Sequence, residues 1–177
     1  MKKLALLTLL ALELAVCGCG NSTPSTTTST TTSGNWEAQL TGGTGEASQL
    51  NFVTAFSVTN SGPLGNISVG FINAGKCFAT GLNAETETGS ATLTTNSTNQ
   101  VTGTLTLTIQ SITPAGNTLA LTGNLTGTSN GTTGTTGTLS NGVVAGIWQL
   151  TGGQGDPSCT GTGNFIMCQG AATCTVP

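Results

Sequence analysis

Histidine, arginine and tyrosine are absent from this chain of 177 residues. Without histidine there is no Ser-His-Asp triad, no Cys-His pair and no His-Glu-x-x-His zinc site. Without arginine and tyrosine, further acid, nucleophile and oxyanion-binding options go too. Charge is scarce: Asp, Glu, Lys and Arg together make up 5% of the residues, where about 25% is usual. From Cys19 onward the one base is Lys76, set against Glu37, Glu46, Glu85, Glu87 and Asp156. A nucleic-acid binder needs clustered Lys and Arg to displace counterions, so that class is excluded. Aromatic residues are only 4%, few for a ligand pocket, which is usually lined by apolar and aromatic side chains. After residue 33 no apolar stripe with a 3.6-residue period reaches helical length.

The N-terminus carries the one long apolar run. Met1-Lys2-Lys3 is a short positive opening, and Leu4 to Val16 follows as 13 mostly leucine-rich residues interrupted by Glu13. A bilayer-spanning helix needs about 20 apolar residues, so the run suits the core of a signal peptide. It ends Val16-Cys17-Gly18-Cys19. This resembles the lipobox of bacterial lipoproteins: an aliphatic residue, two small residues and the cysteine that becomes lipidated. The register ending at Cys17 would place the bulky Val16 next to the cleavage site. The other alternative is an ordinary cleaved signal with two incidental cysteines. The resemblance implies a signal peptide over 1–18, lipidation at Cys19, and anchoring of an exported chain to the cell envelope, at the outer membrane or cell surface. Two or more hydrocarbon tails suffice for stable anchoring. The membrane is then a partner through the lipid alone.

Residues 21–33 read NSTPSTTTSTTTS, with no charge and nothing apolar to enter a core. Such a segment cannot offset its ordering entropy by burial, so 19–33 reads as the lipidated cysteine plus a flexible spacer. Alternation begins at Gly34, and 34–177 is of single-domain size. Leu50, Phe52, Thr54, Phe56 and Val58 form one row of alternating positions. Ile67, Val69 and Phe71 form another, as do Gly103, Leu105, Leu107 and Ile109, and Leu119, Leu121, Gly123 and Leu125. A period of two over four to eight residues argues half-buried strands, and threonine suits their wet face. Asn60-Ser61-Gly62-Pro63, Pro114-Ala115-Gly116-Asn117, Asn130-Gly131 and Asn141-Gly142 read as turns. The expectation is an all-β antiparallel meander of eight to ten strands, closed as a barrel or folded as a sandwich.

Trp36-Glu-Ala-Gln-Leu-Thr-Gly-Gly returns loosely as Trp148-Gln-Leu-Thr-Gly-Gly. If the sheet closes, these two strands are candidates to pair and remove both edges. Gly34-Asn35-Trp36 is similar to the Gly-x-Trp opening of the lipocalin group, which implies a barrel around a small apolar ligand. The basic residue that stacks on that tryptophan in the group has no counterpart here.

Once Cys19 is lipidated and the signal removed, Cys77, Cys159, Cys168 and Cys174 remain. Four cysteines in a small exported domain read as two disulfides. The expected pairing is Cys168–Cys174 across a short terminal loop and Cys77–Cys159 across about 80 residues. Zinc is disfavoured, since the spacing lacks Cys-x-x-Cys and no histidine assists; no metal or other cofactor is expected. Glu85 and Glu87, spaced i and i+2, are the one carboxylate pair suited to glycoside hydrolysis, but read as a solvated surface pair. Asp156, after Gly152-Gly153-Gln154-Gly155, reads as a turn into Pro157. The threonines of 102–108 and the Gly131–Gly137 run raise an ice-like water lattice. Without repetition in register on adjacent strands they simply cover a wet face. A non-catalytic domain remains, either binding a small apolar ligand or a protein partner, or serving as a structural coat without a ligand. A filled interior would favour the coat, and an open apolar cavity the binder.

Overall fold

The computed structural model describes residues 29–32, 34–80, 85–132, 136–152 and 156–170. Among these residues ten strands form one sheet. They are β1 (Ser29–Thr32), β2 (Asn35–Thr41), β3 (Asn51–Thr59), β4 (Ser61–Pro63), β5 (Gly65–Asn73), β6 (Glu85–Thr95), β7 (Gln100–Ser111), β8 (Thr118–Ser129), β9 (Thr136–Thr151) and β10 (Gly161–Gln169). One 3₁₀ turn, Gly45–Gln49, joins β2 to β3. The signal-like segment and Cys19 lie outside the described residues.

The expected antiparallel meander is present. β6, β7, β8, β9 and β10 pair in sequence, each antiparallel to the next. β10 then pairs with β2, β2 with β3 and β3 with β5. Closure comes through β1, which lies antiparallel to β3 and parallel to β9. The path β1–β3–β2–β10–β9 is therefore a five-stranded ring, and the other strands are bonded outside it. β4 continues β3 past Asn60 and pairs with β6, so the far end of the meander returns to the β3 side.

Alternation places the core as the rows foretold. Trp36, Ala38 and Leu40 are buried on β2, Phe52, Thr54, Phe56 and Val58 on β3, and Leu105, Leu107 and Ile109 on β7. Leu119, Leu121 and Leu125 are buried on β8, and Val144, Trp148 and Leu150 on β9. Ile67, Val69 and Phe71 are half-buried against this core.

Three expectations are corrected. Within the spacer expected over 19–33, Ser29–Thr32 belongs to the sheet, with Thr30 and Thr32 fully buried. Backbone pairing on two sides holds this segment, a source of order that hydropathy cannot register. The Trp36 and Trp148 strands do not pair; β10 lies between them, and it is the last strand that meets β2. Asn141-Gly142 is not a turn but a bulge inside β9. Thr126 pairs with Val143 and Thr128 with Ser140, leaving two residues opposite Gly127. Asn141 supplies the left-handed backbone (φ 53°) that a bulge and a hairpin turn both use.

Candidate functional surfaces

A ligand-holding barrel needs empty space inside. Here the inward positions are occupied by large side chains: Trp36, Trp148, Phe52 and Leu50, with seven leucines and one isoleucine of β7, β8 and β9, are all less than 2% exposed or at the 2% margin. Glycines on neighbouring strands make room for large rings: a Cβ on Gly123 of β8 would sit 2.9 Å from the Phe165 ring, and one on Gly163 of β10 2.6 Å from Trp148 Nε1. Phe165 lies opposite Gly146 and Trp148 opposite Gly163 in the β9–β10 ladder. Large beside small is how a narrow barrel fills its interior. Trp36 stacks on Phe56, with centroids 5.3 Å apart, and Phe71 stacks on Phe78 at 4.5 Å. Trp148 Nε1 donates to Thr41 O at 3.0 Å, whereas Trp36 Nε1 is buried without a partner.

The glutamate pair is not on the wet face. Glu85 and Glu87 share the inward parity of Ala91 and Leu93 on β6, and Glu85 is 8% exposed, with Oε1 buried and unpartnered. Burial raises the pKa of Glu85 above 4.5, and the neighbouring Glu87 carboxylate adds to it. Burial likewise raises Glu87. The i, i+2 spacing puts both on one face, and the parity they share with Ala91 and Leu93 makes that face the inner one. The two lie beside Ser111 and Ile109 of β7, which offer no second acid-base group.

Cys77 and Cys159 are bonded as expected, with Cα atoms 5.4 Å apart. Cys168 is also disulfide-bonded, and its expected partner Cys174 lies outside the described residues. Lys76, beside this staple, reaches Glu46 Oε1 at 3.8 Å and Asp156 Oδ2 at 3.7 Å. Asp156 Oδ1 accepts from Ser158 N at 2.9 Å and Ser158 Oγ at 2.6 Å. Those bonds, more than Lys76, hold its carboxyl below the ordinary value, and this is the turn expected before Pro157. Among the described residues no cluster of three or more His, Cys, Asp or Glu could hold a metal.

The threonine rows do fall in register, contrary to expectation. On β6 and β7, Thr92 pairs with Thr104, Thr94 with Thr102, and Ser90 with Thr106. β8 continues two of these rows, Thr102 to Thr126 and Thr106 to Thr122. All are exposed. Ser90 Oγ and Thr106 Oγ1 are 2.9 Å apart, and Thr92 Oγ1 and Thr104 Oγ1 3.0 Å. Pairing partners are set by long-range register, so linear spacing within one strand cannot reveal the grid. Strands in a sheet rotate by roughly 20–25° from one to the next, which turns successive rows out of a common plane and disfavours a flat water lattice.

On the neighbouring outer face the surface becomes apolar. Ile147 of β9 is 64% exposed. With Ala145, Thr41, Asn164 and Ile166 it lines a shallow groove of about 400 Å³ over Phe165.

No protein-family model, no curated protein and no solved structure matches the chain. Its function therefore rests on these surfaces and on the N-terminal segment.

Proposed function

We propose that this chain is an exported lipoprotein, anchored through Cys19 to the outer membrane or cell surface, whose β domain is a structural, non-catalytic coat module. The filled interior carries the choice of coat over small-ligand binder. The positions that would line a binding cavity are taken by Trp36, Trp148, Phe52 and the leucines of β7, β8 and β9. The outer surface fits the same reading. A grid of paired hydroxyls hydrates the wall without charge, and the mature chain offers one basic residue, Lys76, to proteases that cut after Lys or Arg. The absence of His, Arg and Tyr, and a glutamate pair with no further acid-base group on β7 beside it, support a non-catalytic role. A protein partner is the second reading, and the exposed Ile147 groove favours it over a small molecule.

Two measurements test this. Lipid labelling of the expressed precursor should be lost in Cys19→Ser and kept in Cys17→Ser; the reverse result would move the anchor to Cys17. Native mass spectrometry of protein extracted from membranes should give the mass of the lipidated chain alone. A retained apolar small molecule of defined mass would restore the binder.

A further inference from the structure

The chain repeats itself where it enters the barrel. Residues 25–28 read Ser-Thr-Thr-Thr, and β1, residues 29–32, reads Ser-Thr-Thr-Thr again. β1 fills a slot between two strands. Thr31 and Thr32 pair with Thr59 and Val58 of β3, while Ser29, Thr30 and Thr31 pair with Thr136, Gly137 and Thr138 of β9. The bonds that hold it come from backbone groups and threonine hydroxyls. Thr30 N donates to Asn60 Oδ1 at 2.8 Å, and Asn60 N donates to Thr30 O at 2.9 Å. Thr31 Oγ1 donates to Gly137 O at 3.2 Å, and Thr30 Oγ1 meets Thr95 Oγ1 and Ser129 Oγ.

An apolar face normally fixes a strand's register, because a one-residue slip would turn that face to water; strands polar on both sides are prone to slip. β1 has no apolar side chain. A slip of four residues preserves parity and presents the same residue type at each place: Ser25 for Ser29, Thr26 for Thr30, Thr27 for Thr31 and Thr28 for Thr32.

We propose that the slot between β3 and β9 accepts either tetrad, so that the N-terminal strand has two registers. The switch draws four residues of the preceding chain through the slot, about 13 Å at roughly 3.3 Å per residue. It thereby resets how much chain separates the barrel from whatever lies N-terminal to it. The slot contacts are alike in the two registers, so the difference falls on the link to β2. That link is residues 33–34 in one register and 29–34 in the other. Closure entropy scales with the 3/2 power of loop length, so the tight register is favoured only about fivefold.

Cysteine pairs in the full-length exported protein test this, because the Thr30 and Thr95 side chains touch. Thr30→Cys with Thr95→Cys should oxidise to an intrachain bond. Thr26→Cys with Thr95→Cys should also do so within one chain, about fivefold more slowly. Thr27→Cys with Thr95→Cys presents the wrong face and should stay reduced. Peptide mapping without reduction reads all three. Capture through residue 26 no faster than through residue 27 overturns the proposal. So does capture only between chains, which would mean strand exchange with a second copy. Failure of the residue-30 pair would remove the slot itself.

Discussion

Trp36 shows how one inward residue is held. It is fully buried, stacks on Phe56, and leaves its indole N–H without an acceptor. Its contribution is therefore packing. Trp36→Ala should cost about 3–5 kcal/mol, the range for truncating a large buried aromatic, read from urea unfolding. A loss below about 1 kcal/mol would place the ring at the surface. Glu85 acts in the opposite sense. Its carboxyl is buried with an unpartnered oxygen, and its pKa is raised by burial and by Glu87. A raised folded-state pKa means the native state holds the proton more tightly than the unfolded chain. Stability should then fall as pH rises from the ordinary value of 4.5 through the raised one. Glu85→Gln should raise Tm at pH 7, and the advantage should shrink at acid pH. Equal melting curves at both pH values would show that the carboxyl is hydrated.

The element that holds the termini of the meander together is a covalent one. Cys77 follows β5 and Cys159 precedes β10, 82 residues apart. Asn117 Nδ2 also donates to Cys77 O at 2.9 Å, fully buried, so the staple is embedded among the connections from β5 to β6, β7 to β8 and β9 to β10. Closing a loop of that length removes denatured-state entropy worth about 4 kcal/mol in the chain-entropy model. Cys77→Ala with Cys159→Ala should therefore cost about 2–5 kcal/mol. The midpoint of chemical denaturation measures it. Loss of Cys168 should cost less, since the expected short loop constrains less chain.

For the whole molecule, closure defines what a protease can reach. With β1 in the sheet, the protected unit includes Ser29–Thr32 and does not begin at Gly34. If the proposed surface anchoring holds, a broad-specificity protease acting on intact cells should cut upstream of β1 and release the domain whole, because the ladder bonds of β1 to β3 and β9 shield its backbone. N-terminal sequencing of the released fragment checks this. A start at Gly34 or later would show that β1 is held too weakly to shield its own backbone. Smaller fragments without reduction would contradict a single closed unit.

Strand content, the faces of the main rows and the Cys77–Cys159 pair were legible in the sequence because each depends on local alternation or on counting. Leu105, Leu107 and Ile109 point inward by the same parity that sends Thr104, Thr106 and Thr108 outward or toward the rim. The tertiary structure alone decided who neighbours whom. β10 stands between the two tryptophan strands, the threonines of β6, β7 and β8 meet in register, Asn141 bulges instead of turning, and Glu85 faces the core. A chain so rich in Thr and Gly presents many nearly equivalent edges. Its period of two sets which side a residue faces but leaves the choice of partner to closure of the ring, where backbone bonds made over long sequence separations are satisfied together.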